Sequence, residues 1–193
     1  VVDAVDLGRL PEDGVIATVR DNLGDEALHP FYGVVRRGMQ PGAMAFTDKP
    51  NPCWAPGGDS LPEWLQNADV VRTYHQFRRK QDYQLTLTLR HAADVFVLID
   101  TRQDPPDWLK SRFEDTGAVV RLGPWMQAMT AAEGVEVDAV GQPYLKAAVW
   151  RADAGRGDFV LGPAHDDQSK KMPFAVMYGV AVKAKESQES RPQ

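Results

Sequence analysis

Between Tyr83 and Arg90 the chain alternates apolar and polar side chains, Tyr83-Gln84-Leu85-Thr86-Leu87-Thr88-Leu89-Arg90. A strand with one face on a core and the other in water requires this period of two. The next run, Asp94-Val95-Phe96-Val97-Leu98-Ile99-Asp100, is apolar at consecutive positions and rich in β-branched residues. That composition suits a central strand covered on both faces. With only His91-Ala92-Ala93 between them, the two strands are expected to pair as a hairpin. Shorter apolar runs bounded by turn residues predict further strands at 15–19, 32–35, 69–73, 118–122, 143–151, 157–161 and 173–183.

The intervening segments carry turn chemistry. Residues 49–59 hold three prolines and an adjacent glycine pair, so no regular element is expected there. Ser60-Leu61-Pro62-Glu63 fits a capping box and predicts a short helix over 63–67. Many short strands with turns between them, and no alternation of strand with long helix, point to an antiparallel β-sandwich over a parallel βαβ sheet. Residues 1–185 are expected to form one all-β domain with one or two short helices, followed by a polar tail or linker stub over 186–193.

Composition narrows the class of function. The 193 residues are 43% hydrophobic and 25% charged, ordinary values for a folded globular chain, while 16 glycines and 14 prolines suit many turns. The net charge is −5 and basic residues occur only in short runs such as Arg36-Arg37 and Arg78-Arg79-Lys80, which argues against a nucleic-acid partner. No apolar run approaches the roughly 20 residues of a spanning helix, so this segment is not expected to insert into a membrane. A first residue of Val1 suggests a mature product or an excised piece of a longer chain. The lone Cys53 excludes an internal disulfide and a cysteine-built zinc site.

A set of motifs in the second half resembles a known module. Val95-Phe96-Val97-Leu98 is followed by Asp100-x-Arg102, Pro106-x-Trp108-Leu109, Phe113 and Asp115-Thr116-Gly117. An aromatic strand, Tyr144 to Trp150, and a Gly157-Asp158-Phe159-Val160-Leu161-Gly162 hairpin follow. This pattern resembles a β-sandwich module of large secreted or envelope-anchored bacterial proteins, among them carbohydrate-active enzymes and FecR-type surface regulators. Phe96 departs from it, since these modules often carry Tyr there. The resemblance implies a galactose-binding-like jelly roll, an extracytoplasmic location, and a non-catalytic accessory role commonly assigned to glycan binding.

Physically, the motif residues read as devices that hold the fold. Asp100 and Arg102 lie two apart at a strand end and share a face, so carboxylate and guanidinium can brace the exit loop. Pro105-Pro106 sets the backbone so that Trp108 and Leu109 fold back on the core as a plug. Asp115 begins the Asp-Thr-Gly turn.

Candidate ligand contacts lie elsewhere. Trp54, in the Pro/Gly-rich loop, and Trp125, after Gly123-Pro124, are the aromatics least committed to a strand. Flat indole faces stack on the C–H faces of sugars, and each Trp is therefore either a sugar platform or a loop anchor. Trp64 and Trp150 read as core. Asp166 and Asp167, in His165-Asp166-Asp167-Gln168, either carry a structural calcium or form a solvated turn. No other cofactor is expected. The four histidines match no zinc-hydrolase spacing, and GxSxG, P-loop and GxGxxG patterns are missing. The expected function is a non-catalytic accessory module binding carbohydrate or another cell-surface polymer beside neighbouring domains of its parent. The alternative is a structural or protein-interaction domain without a small ligand.

Overall fold

The computed structural model describes residues 14–23, 32–166 and 173–185. Its strands are β1 (Ile16–Asp21), β2 (Gly33–Val35), β3 (Ala43–Met44), β4 (Cys53–Trp54), β5 (Asp69–Arg72), β6 (Leu85–Leu89), β7 (Ala93–Asp100), β8 (Glu114–Gly123), β9 (Glu136–Val137), β10 (Pro143–Ala154), β11 (Gly157–Leu161) and β12 (Gly179–Ala184). A helix, α1 (Asp107–Arg112), follows β7, and short 3-10 turns lie at Pro56–Gly58, His75–Arg79 and Gln127–Ala131. Strands pair antiparallel into a three-stranded sheet, β1-β6-β11, and a larger one, β2-β5-β12-β7-β10-β8-β4-β3, with β9 added beside β10. The fold is an all-β antiparallel sandwich.

The two strands that are clearest in the sequence do not form a hairpin. β6 pairs with β1 and β11, whereas β7 pairs with β10 and β12 in the other sheet. Their burial explains the separation. In β6, Leu85, Leu87 and Leu89 are buried while Thr86 and Thr88 look outward, where Thr88 meets Thr18 and Asp158 at 2.8 and 2.6 Å and Asp158 pairs with Arg20. β6 therefore belongs to an outer sheet with one wet face. β7 has no wet face along most of its length, and an arch carries the chain from one layer to the next.

A third layer covers the far side of the large sheet. Trp64 stacks on Phe96 of β7 with ring centroids 5.4 Å apart, and Trp54 lies so close to Gly179 that an added Cβ would fall 2.2 Å from its ring. The chain between β2 and β5 thus packs on the face bearing Phe96 and Leu98, while Val95, Val97, Val180 and Val182 line the other face. These layers share one contiguous apolar cluster. Each fully buried Leu or Val in it stabilises by about 1.5–3 kcal/mol.

Four local expectations change. The Pro/Gly-rich segment 49–59 contains a strand after all, because Trp54 is drawn under the sheet and β4 pairs with β8. Residues 63–67 form a tight turn closed by Leu65 and Gln66 N–H groups on the Pro62 carbonyl, and no helix. The last strand begins at Gly179 and not at Pro173. Trp64, expected in the core, is 41% exposed with one face on Phe96. The tail 186–193 lies outside the described residues.

Candidate functional site

Register places the chemistry-bearing loops at one end of the sandwich. Gly179 pairs with Leu98, Val180 with Val71, and Leu122 with Leu145. The chain leaving β5, β7 and β8 and the chain entering β10 and β12 therefore emerge together. Asp100, Arg102, Trp108, Trp125 and Asp166 all belong to these segments.

Asp100 and Arg102 grip each other. Arg102 Nε donates to both Asp100 oxygens at 3.1 and 3.0 Å, Nη2 donates to Oδ2 at 2.6 Å, and the Arg102 backbone N–H reaches Oδ1 at 3.0 Å. Their side chains are only 1% and 8% exposed, respectively. At that depth a bidentate geometry is what lets the pair offset its desolvation. Nη2 also donates to the Phe174 carbonyl at 3.0 Å, so the pair ties β7 to the approach of β12.

Trp108 sits in the first turn of α1, where the Pro106 conformation starts the helix. Its indole N–H donates to the Pro163 carbonyl at 2.9 Å, and its ring meets Phe113 and Tyr178 edge to face. Gly162 makes this possible: a Cβ there would lie 2.5 Å from the indole. Asp115, at the opposite end of the sandwich, shapes a bulge in β8. Its carboxylate accepts the Gly117 N–H at 2.9 Å, Thr116 donates to the Val149 carbonyl, and the pairing with β10 shifts register between Ala148 and Trp150. Gly117 adopts φ 70°, which a glycine takes without strain.

Both nominated loop tryptophans turn inward. Trp54 is 1% exposed, covered as described above. Trp125 is 6% exposed, with its N–H on the Leu122 carbonyl at 3.0 Å and its ring against Phe46 and His75. Neither presents a free face to a sugar. Asp166 accepts the Asp107 backbone N–H at 2.6 Å, which satisfies a free donor at the start of α1 from another segment. Asp167 lies outside the described residues, among which no three His, Cys, Asp or Glu side chains gather around a common point.

A cavity of about 710 Å³ opens beside the Asp100–Arg102 pair, lined by Thr101, Arg102, Ala128, Ala132, Glu133 and Phe174 among others. The Arg102 stem runs against Gly134, also on the lining, where a Cβ would meet it at 2.8 Å. Phe174 is 37% exposed and holds a left-handed φ of 56°, unusual for a bulky residue. The Arg102 hydrogen bond to its carbonyl holds that conformation in place. The result is an aromatic face beside a carboxylate, a hydroxyl and a run of small side chains. Residue patterns missed Phe174, Glu133 and Thr101. Phe174 reads as a strand residue, and nothing local in the sequence marks its backbone twist.

Burial favours the neutral forms of three titratable groups nearby. Burial lowers His75 to a pKa of about 3, with Arg78 and Lys49 adding to the effect. Burial likewise pushes His165 down. Burial raises the Cys53 thiol, whose Sγ points at the Gly123 carbonyl 3.3 Å away.

The fold places the chain in the class of antiparallel β-sandwich modules. No protein-family model matches it, and no curated protein does. Among solved structures it is similar to part of a β-glucuronidase from glycoside hydrolase family 2, at 22% identity and a TM-score of 0.56, over 93% of this chain and 15% of that one. It also matches part of a GH138 enzyme targeting pectin rhamnogalacturonan II, at 11% identity and a TM-score of 0.42, over 96% of this chain and 18% of that one. The chain thus spans less than a fifth of either enzyme's length. Among the described residues no helix is long and apolar enough to cross a membrane.

Proposed function

We propose that this chain is a non-catalytic carbohydrate-binding module of a larger extracytoplasmic protein, and that the cavity beside Phe174 takes one or two sugar units. The observation that carries this reading is Phe174, a half-exposed aromatic on the wall of a cavity, whose backbone carbonyl accepts a hydrogen bond from Arg102. Sugars present apolar C–H faces to such a ring and hydroxyls to its rim. A volume of about 710 Å³ falls within the roughly 300–1,000 Å³ usual for small-molecule sites. Glu133 is the one carboxylate on the described lining, whereas glycoside hydrolysis uses a pair. The likeness of fold to part of a family 2 β-glucuronidase supports a setting in carbohydrate chemistry.

Affinity electrophoresis through gels of soluble polysaccharides tests the reading. Wild type should be retarded by at least one polymer, and Phe174→Ala should lose about tenfold in affinity, the worth of one aromatic stacking contact. Equal retardation of both proteins would contradict it.

A second reading, a spacer that docks on neighbouring domains, draws on exposed Val119, Val137 and Val140 on β8, β9 and the turn after it. It predicts no retardation by any polymer, and a shift in domain spacing when Val140→Asp is placed in the parent protein.

A further inference from the structure

Two charged side chains stand on the described lining of the Phe174 cavity, Arg102 and Glu133, and only one has its charge matched inside the protein. The Arg102 guanidinium lies on the Asp100 carboxylate through Nε and Nη2. With side chains 8% and 1% exposed, that pair presents almost no net charge to an entering ligand. Glu133 is exposed, and no ion pair among the described residues involves it. Lys146 comes near through its backbone, whose carbonyl accepts the Thr101 N–H at 2.9 Å, but its ammonium is held by Glu136 at 2.6 Å. Lys170 and Lys171, which precede Pro173 in sequence, lie outside the described residues.

The aromatic adds to the charge of the same sign. The face of a phenyl ring is the negative end of its quadrupole and attracts a cation placed above it. Phe174 is 37% exposed and shares the lining with Glu133. A carboxylate and a π-face around one hollow favour a ligand that brings an apolar ring face to stack and a positive group to pair. A uronate would bring the wrong sign to both, in a chain whose net charge is already −5. A second cavity, which has Arg72 on its wall, carries no aromatic side chain on its lining. The pairing of ring and carboxylate therefore belongs to the first cavity.

We propose that the Phe174 cavity selects amino sugars in their ammonium form, with the ring taking a C–H face of the sugar and Glu133 pairing with the ammonium. This rests on the sugar-binding reading above and names the class of sugar. An exposed ion pair adds little affinity, so Phe174 supplies most of the binding and Glu133 sets the preference.

Titration of the isotope-labelled 193-residue chain with glucosamine oligosaccharide tests this. The N-acetylated oligosaccharide of equal length serves as the neutral probe and oligogalacturonate as the acidic one. The first two share a skeleton, so their difference isolates the charge. The glucosamine oligomer should shift the Phe174 and Glu133 amides saturably, bind about threefold to fivefold more tightly than its acetylated form, and lose that advantage with added salt. Glu133→Gln, a change at an exposed site, should remove the advantage and leave the acetylated oligomer's affinity unchanged. Phe174→Ala should weaken both. Glu114→Gln removes an exposed carboxylate on β8 and should change neither, which excludes general attraction to an acidic protein. Equal or tighter binding of the acetylated or galacturonate oligomer at Phe174 would overturn the charge preference and leave a sugar site standing. A glucosamine oligomer that leaves Phe174 unmoved would overturn the proposal, while the sugar reading would still be decided by affinity gels with Phe174→Ala.

Discussion

Arg102 and Arg72 each stand on the wall of a cavity, and their guanidinium groups are satisfied in different ways. Arg102 has its nitrogens on the Asp100 carboxylate and the Phe174 carbonyl. Arg72 buries Nε with no partner. The first residue is a rivet that ties β7 to the segment carrying Phe174. The second is held along its stem, which packs beside Gly33. A charged side chain in a pocket is therefore informative about ligands only once its partners inside the protein are counted.

The largest test of that contrast is to remove each arginine in turn. Arg102→Gln strands a buried Asp100 carboxylate and should cost about 3–5 kcal/mol in chemical denaturation. It should also weaken any glycan bound beside Phe174. Arg72→Gln strands no carboxylate and should change stability by less than about 1 kcal/mol in either direction. Equal losses would erase the distinction.

Next in size is Trp108→Ala. The plug gives up its contacts with Phe113 and Tyr178 and the hydrogen bond to Pro163, and the variant should lose about 3 kcal/mol in the same assay. Gly162→Ala pushes a Cβ into the same indole and should lose about 1–3 kcal/mol by overpacking. A wild-type melt for either would show that the motif does not hold the fold.

A pH-dependent effect, small near neutrality, probes a second group with an unmet hydrogen bond. The His75 Nε2 is buried without a partner, and its pKa is depressed to about 3, whereas in the unfolded chain it is near 6.5. Between those values the unfolded state binds the extra proton. Stability should therefore fall as pH drops from about 6.5 towards 3, by up to about 1.4 kcal/mol per pH unit, and owe nothing to this group above 6.5. His165, also depressed, adds to the slope. Thermal melts of His75→Phe across that range should show a shallower dependence than wild type. An unchanged slope would mean that His75 takes its proton without leaving its pocket.

Periodicity in the sequence carried most of the architecture. β6, β7, β10 and β11 were legible because alternation, or its loss, states directly how many faces of a strand are covered. Pairing was not legible. Nothing local in His91-Ala92-Ala93 says whether the chain turns back beside β6 or crosses to the other layer. Trp54 and Trp125 are open between platform and anchor in the sequence for a related reason. Composition marks a loop, but only packing decides whether an aromatic in it points out or in, and both found cover, Trp54 over Gly179 and Trp125 against Phe46. The binding surface was the least visible part. Phe174 owes its exposure to a left-handed backbone held by Arg102, 72 residues away in sequence, and a single sequence does not record such a contact.

The most direct test of the central claim is a chemical-shift map of the isotope-labelled chain titrated with a polysaccharide fragment that retards it in affinity gels. The account predicts saturable shifts clustered at Thr101, Ala128, Ala132, Glu133 and Phe174, with Trp54 and Trp125 silent. Shifts centred instead on the exposed Trp64, with Phe174 unmoved, would contradict it.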